Sequence, residues 1–504
     1  MSSLKKAAIW TTLLALLLKL SGFIREAIVA REFGVSAETE GYFLAFGFIT
    51  LVIAMISTGF NNVFLPMYIK ARQNGKMADT NANALLNRAM VLFGVISVVG
   101  YFTAEHFVPF IYPTMKAEIA PYAITITQFF FAGMFLIALT SILDSYLQSR
   151  RIFVPSQLSK LLGTLGAAIF AILFSDVWGI YSLVYGFLAG TLIGTIVQLV
   201  FLRRSSYLWK PDFKMQKDFQ KAFLILIVPS LLNSVVGQVN LFVNKAFAAG
   251  ENVQLGAVTY LNNASLLISI PNAIYATTLA AIIFTLMSEQ IEDGRKFRDT
   301  FFRGMEISLI TLLPIAIGLF FVGEQALAVI YERGKFSTED TYNTYVALMW
   351  YLPIIVFQGM QLILSKSMYA RGKTAVVFRI SVTTIAVNFI LNWFLVDQYG
   401  YPALAFAASI VSVYYFTVSM IVVYKDLGMA EFKRFADMAW RVVIPAAVMG
   451  VAVWGSREVL PVDAWPAVVA LGVLVPIGVI VYVGAVRVVY PAGFKRLVGM
   501  VRRG

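Results

Sequence analysis

The chain has no cysteine and a single histidine, His106, among 504 residues. The first absence removes disulfides, thiolate metal sites and cysteine nucleophiles. The second leaves no histidine metal cluster and no Ser-His-Asp triad, and His106 is expected as a solvated residue in a loop between spans. Charge is scarce as well: 13% of residues are Asp, Glu, Lys or Arg, against 59% hydrophobic, with a mean hydropathy of +0.78. A soluble chain of this length needs far more polar surface, so the composition is that of a polytopic membrane protein. No glycine loop follows a strand to cradle phosphate, no metal-ligand spacing occurs, and no long polar segment offers an acid–base pair. These absences favour transport over catalysis, and the chain is expected not to be an enzyme.

What is present is a series of apolar runs. Measured against about 20 residues per membrane crossing, they give about 14 transmembrane helices in an all-α fold. The runs lie near 7–30, 41–68, 87–110, 120–147, 154–174, 179–202, 220–246, 255–288, 301–322, 342–368, 375–396, 401–424, 440–456 and 465–489. The first lacks a small-residue cleavage site and is expected to remain as a helix. Net charge is +13, and its placement argues against nucleic acid. Alternate connecting segments hold nearly all the cations, Lys70, Arg72, Arg150, Arg151, Lys210 and Arg371 among them. The other set holds few, with Glu32, Glu38, Glu40, Glu324 and Glu339 concentrated there. By the positive-inside rule both termini are cytoplasmic, and the basic segments meet anionic lipid heads.

The chain repeats itself. SYLQSRR at 145–151 resembles SMYARGK at 367–373, and SDVWGIYSLVYGFLAGT at 175–191 matches VDQYGYPALAFAASIVS at 396–412. Asp176 then pairs with Asp397 and Gly179 with Gly400, an offset close to 220 residues. This reads as two homologous six-helix lobes, 1–205 and 206–427, followed by an added part, 428–504, with a final helix pair. Repeats of one orientation are a transporter architecture, with the substrate site between the halves. Residues 210–221 and 428–438 set phenylalanines among lysines and arginines, the pattern of an interfacial amphipathic helix. Pro229, Pro271, Pro314 and Pro353 fall inside spans and bend them. Gly186, Gly190 and Gly194 recur every four residues, as in close helix packing.

Charge inside the first span is the sharpest signal. Lys19 lies near its middle and Arg25 further on. A central cation costs roughly 2.5–3.5 kcal/mol on insertion scales, so it faces a watery or protein-lined cavity, or its long stem reaches an interface. Two such cations point to a cavity for an anion. Lys19, Arg25 and Arg31 are six apart and share a face only if the helix bends, with Ser21-Gly22 as the bend site. Glu26 is a counter-charge for Arg25, and Glu40 begins the next span. Amides recur in spans: Asn61, Asn62, Asn233, Asn240, Asn244, Asn388 and Asn392. They line a polar path, hold a cation, or bind helices together. Asn240, Asn388 and Asn392 are the candidate ligands for a coupling cation.

KLSGFIREAIVAREFG (19–34), TEGYF (39–43) and YERGKFSTEDT (331–341) resemble signatures of the MurJ/MviN family of lipid II flippases, within the multidrug/oligosaccharidyl-lipid/polysaccharide exporter superfamily. The resemblance implies a flippase that moves an undecaprenyl-diphosphate-linked peptidoglycan precursor, lipid II, to the outer leaflet by alternating access. It implies no ATP and no cofactor beyond a coupling cation or the membrane potential. It also implies partners limited to the glycan lipid and membrane lipids, a monomer in the bacterial inner membrane, and a lipid-tail groove formed by the last helix pair. The substrate-binding residues it points to, taken with the polar residues above, are Lys19, Arg25, Glu26, Arg31, Glu40, Asn61 and Asn240. The sequence departs from the family where arginines are expected on the second span, reading Ile53 and Ala54, and near Leu266. A Wzx-like flippase for another lipid-linked glycan, such as exopolysaccharide or teichuronic acid, is the alternative; a cation-coupled drug antiporter and a glycan polymerase fit less well.

The charge asymmetry places both termini inside and residues 32–40 and 324–340 outside. A cysteine introduced into 324–340 of this cysteine-free chain is expected to react with an impermeant maleimide on intact cells. Reaction only after permeabilisation would overturn the topology.

Overall fold

Fourteen apolar runs need fourteen helices or helix pairs, because only internally hydrogen-bonded backbone survives in lipid. The computed structural model describes residues 2–73, 77–205, 207–276 and 280–501, and the side chains of all of these but 2–12, 233, 237, 281 and 497–501. The expected Asn233 therefore lies outside the described side chains. Among the described residues there is no strand beyond one isolated bridge, Met115 to Gly250. The helices are α1 (Ser2–Phe33), α2 (Ala37–Gln73), α3 (Ala78–Ile111), α4 (Ala120–Ala132), α5 (Met134–Ser149), α6 (Val154–Trp178), α7 (Tyr181–Arg204), α8 (Lys217–Ala248), α9 (Ala257–Tyr275), α10 (Ala281–Glu289), α11 (Gly294–Tyr331), α12 (Thr338–Ala370), α13 (Thr374–Tyr399), α14 (Tyr401–Leu427), α15 (Met429–Val459), α16 (Ala467–Val489) and α17 (Pro491–Val501). Every expected span falls on one helix or on a pair, α4–α5 or α9–α10. Eleven helices among the described residues are long and apolar enough to cross a membrane, twelve with the pair α4–α5 counted as one span. The protein is an all-α, multi-pass membrane protein.

The chain forms two compact units, Met1–Thr259 with Arg333–Phe336, and Tyr260–Glu332 with Ser337–Gly504. In the first, α4 and α5 meet at a 56° bend. The cause is Gly133, whose missing side chain admits Leu188: a Cβ there would lie 2.3 Å from its Cδ2. Phe64 of α2 stacks on Tyr146 of α5 at 4.3 Å, and Phe60 meets Phe223 of α8 at 5.8 Å. So α8, in the second half of the sequence repeat, packs inside the first unit. Repeat boundaries report descent; packing boundaries report which apolar faces bury one another.

Within the second unit α15 and α16 pack on α11, and Tyr482 donates to the Ile310 carbonyl at 2.7 Å. Glu306, buried in α11, accepts from Tyr490 and from Arg496 of α17. Asp293 caps α11, accepting the Lys296 N–H at 3.1 Å, and the Lys296 side chain and N–H hold that carboxyl below its usual range.

The repeat has a local signature in each unit. Gly179 ends α6 at φ 52° and ψ −141°, and Gly400 ends α13 at φ 66° and ψ −155°. Both adopt the left-handed side of the map that glycine tolerates. The other repeat match behaves alike: Arg151 (φ 62°) and Gly372 (φ 72°) sit in equivalent turns.

Three expectations need correction. Residues 210–216 are not an interfacial helix; they form an irregular strap held by α3. Asn87 donates to the carbonyls of Lys210 and Asp212, both at 2.8 Å, and Arg88 donates to that of Phe213. Side-chain donors took the carbonyls that a helix would have satisfied internally. Residues 429–438 are helical, as expected, but not a separate segment: they run on into the span as the start of α15, where Arg434 pairs with Asp299 at 2.8 Å and covers the Phe302 ring. His106 lies on α3, exposed, not in a loop.

The glycine stripe of α7 does pack closely. A Cβ on Gly186 would lie 2.2 Å from the Gly166 carbonyl oxygen, and one on Gly190 2.1 Å from that of Leu162. Backbone meets backbone along α6–α7, so the neighbour cannot yield as a side chain would. Gly190→Leu is expected to destabilise the protein by about 3 kcal/mol, read as a fall in melting temperature in detergent; an unchanged melting temperature would contradict the backbone contact.

Candidate functional site

A cation in an apolar helix needs a partner or a water path. Arg25 has partners. It is 9% exposed, and its Nη2 donates to the carboxylate of Glu26, itself 4% exposed. Its guanidinium lies 4.3 Å from the centre of the Phe46 ring on α2, a cation–π contact strengthened by desolvation. Phe46 is held by rings on three sides: Tyr42 stacked at 5.5 Å, Phe130 of α4 at 6.1 Å and Phe187 of α7 at 5.7 Å. Arg25 Nε and Glu26 Oε2 are buried with no hydrogen-bond partner. The pair therefore keeps one donor and one acceptor uncommitted.

The other sequence-derived residues do not all converge here. α1 runs unbroken through Ser21-Gly22, and Lys19 is exposed, on a different side of the helix from buried Arg25. Arg31 is exposed and pairs with Glu32 at 3.4 Å. Its carbonyl accepts the Lys335 N–H at 3.0 Å. That contact requires Gly334, where a Cβ would stand 2.3 Å from the same oxygen. Asn61 binds helices, accepting from Ser145 of α5 at 2.7 Å. Asn240 is half-buried on α8, while Asn388 and Asn392 are buried on α13. Among the described residues no group of three His, Cys, Asp or Glu could hold a metal.

Glu40 is fully buried, and its Oε1 accepts the Val258 N–H at 2.8 Å. The N–H groups of Gly256 and Thr259 also face the carboxylate, and Lys116 acts on it as a cation. Glu40 thus supplies an acceptor to the free N–H groups at the start of α9. Its place is that of a helix cap, within a layer where Lys116 donates to the Glu251 carbonyl at 3.0 Å.

Residues 29–471 match the family model described as "Lipid II flippase MurJ". The chain belongs to the MurJ family. A probable lipid II flippase MurJ of Thermotoga maritima is 24% identical over 488 residues, 96% of each chain. That of Aquifex aeolicus is 26% identical over 421 residues, 81% of this chain and 82% of its own. Among solved structures, "Lipid II flippase MurJ, inward closed conformation" superposes with a TM-score of 0.82 at 21% identity, over 96% of this chain and 99% of that one. An inward-facing multidrug resistance MATE transporter of the MOP superfamily gives 0.64 at 14%, over 84% and 94%. At these identities the structural likenesses speak for the fold.

Lys19, Arg25 and Glu26 precede the stretch matched to the MurJ model, so their standing rests on geometry. Geometry also adds a residue that the sequence does not single out, at the end of the 220–246 run. Lys245, near the end of α8, directs its Nζ to the Phe43 carbonyl at 3.0 Å and interacts electrostatically with Glu26 and Arg25. A signal was available: Gly47 is one turn from Phe43 on α2, and glycine within an apolar helix often marks a close approach. The Asp144–Lys160 pair, 2.7 Å apart, was likewise unread, with Gln198 donating to the same carboxylate at 2.7 Å. It joins α5, α6 and α7.

Glu40→Ala is expected to lower stability by about 2 kcal/mol, the scale of leaving buried backbone donors unsatisfied. A melting measurement in detergent checks this; an unchanged melting temperature would contradict the capping role.

Proposed function

We infer that this protein is a lipid II flippase: it moves an undecaprenyl-diphosphate-linked peptidoglycan precursor from the inner to the outer leaflet of the bacterial cytoplasmic membrane. The membership of the chain in the MurJ family over most of its length carries this reading. The physical problem is a head group bearing two phosphate charges and polar sugars, which lipid rejects, on a tail that lipid accepts. A protein solves it by offering charge and hydrogen bonds along a path while the tail stays in the bilayer. Alternating access moves the head group without chemistry on it, so no covalent step is required of the chain. We further propose that it works as a monomer with both termini in the cytoplasm, coupled to the membrane potential or a cation.

We propose Arg25 as the residue that meets the diphosphate. Its guanidinium suits multidentate phosphate contacts, and its one carboxylate partner, Glu26, leaves Nε available. Lys19, exposed on the same helix, serves the approach of the head group.

In a strain depleted of its own lipid II flippase, the wild-type gene is expected to restore growth. Compared at matched protein level, Arg25→Ala should abolish rescue, Arg25→Lys should rescue in part, and Lys19→Ala should impair it less than Arg25→Ala. Wild-type growth with Arg25→Gln would refute the role of Arg25. Failure of the wild-type gene, with rescue instead of an exopolysaccharide export defect, would refute lipid II as the substrate.

A further inference from the structure

We infer that Lys245 is a second cation of the Arg25 site, that Gly47 is kept free of a side chain to admit it, and that together with Arg25 it selects a lipid diphosphate over a lipid monophosphate. This rests on the flippase reading and deepens it.

Lys245 lies on α8, away in sequence from α2, yet its ammonium ends on the α2 backbone, one turn from the Phe46 ring that Arg25 covers. The Nζ donates to the backbone carbonyl of Phe43 at 3.0 Å. In an α-helix that carbonyl already accepts the N–H four residues on, at Gly47. The lysine therefore lies directly over residue 47. A Cβ at Gly47 would stand 2.8 Å from Nζ and 3.2 Å from Cδ. Any side chain there would push the ammonium out of its seat. An ammonium has three donors, and the carbonyl takes one. The charges acting on it are Glu26 and Arg25.

Arg25 and Glu26 alone form a neutral pair. Lys245 makes the cluster two cations and one anion, with a net charge of +1. A net cation in an apolar surround is costly unless an anion arrives. A helix–helix pin would need no excess charge, and the contact between α2 and α8 is already made by apolar packing, where a Cβ on Gly59 would meet Leu231 at 2.8 Å. A polyprenyl diphosphate linked to a sugar carries one charge on each phosphate. Arg25 and Lys245 offer one cation to each, while a monophosphate engages only one of them.

The test is binding by the purified full-length protein in nanodiscs, measured by native mass spectrometry with undecaprenyl diphosphate and undecaprenyl monophosphate as probes. Wild type is expected to bind the diphosphate more tightly. Lys245→Gln should lose about tenfold or more of diphosphate affinity, the scale of a charged hydrogen bond, and change monophosphate affinity by less than about threefold. Lys245→Arg should retain the preference. Gly47→Ala should reproduce the loss with Lys245 intact. The melting temperature of each variant is read in parallel. Should Lys245→Gln melt early, the charge-balanced Glu26→Gln/Lys245→Gln protein replaces it in the comparison. Unaltered diphosphate affinity in either protein, or an equal loss for both lipids, overturns the assignment. If wild type binds neither lipid, the flippase reading itself falls, and the role of Lys245 with it.

Discussion

The structure of the first unit turns on one problem, a guanidinium buried in an apolar helix bundle. Arg25 cannot stay charged in hydrocarbon without compensation. Glu26 supplies the counter-charge from the same helix turn, and Phe46 supplies a ring face from α2. That ring is held by Tyr42, Phe130 and Phe187, so α1, α2, α4 and α7 are all committed to keeping one cation in place. The same rule governs the other buried charges. Asp144 meets Lys160, and Glu306 meets Arg496. Among these, Arg25 stands out because its pair leaves a donor and an acceptor unused, which is what a binding site needs and a structural pin does not.

Much of the fold was legible in the sequence for a physical reason. Lipid forces each crossing to be a long apolar helix, and long apolar runs are conspicuous. Gly179 and Gly400 marked the repeat because the positive φ with ψ near −150° that they adopt is essentially open to glycine alone. The α7 stripe at Gly186 and Gly190 was readable because backbone contact forbids side chains. What failed were the amphiphilic segments. The strap at 210–216 and the start of α15 share a composition of phenylalanine and basic residues, yet one is pinned by Asn87 and Arg88 and the other docks on α11 through Arg434. Composition fixed their preference for a boundary; tertiary partners fixed their shape.

The candidate site was legible only in part. Arg25 and Glu26 were visible because intramembrane charge is rare. Lys19 shared that signal but is exposed, since six residues of helix turn it away from Arg25. Glu40 carried the same chemical signature and serves α9 as a cap. Lys245 was hidden because it lies close to a helix end, where a lysine normally reaches water. Only the packing of α8 against Gly47 turns it inward. Single-chain patterns show where charge is unusual; they do not show which charges a fold brings together.

The central claim is that Arg25 meets the phosphate charge of a lipid-linked head group as it crosses the membrane. Reconstituted transport tests it most directly. Proteoliposomes loaded with a fluorescent lipid II analogue on one leaflet would be followed by the loss of signal to an impermeant quencher. Wild type is expected to equilibrate the two leaflets, and Arg25→Gln, at equal protein density and melting temperature, is expected to leave the lipid where it started. Equal rates for the two proteins would contradict the account.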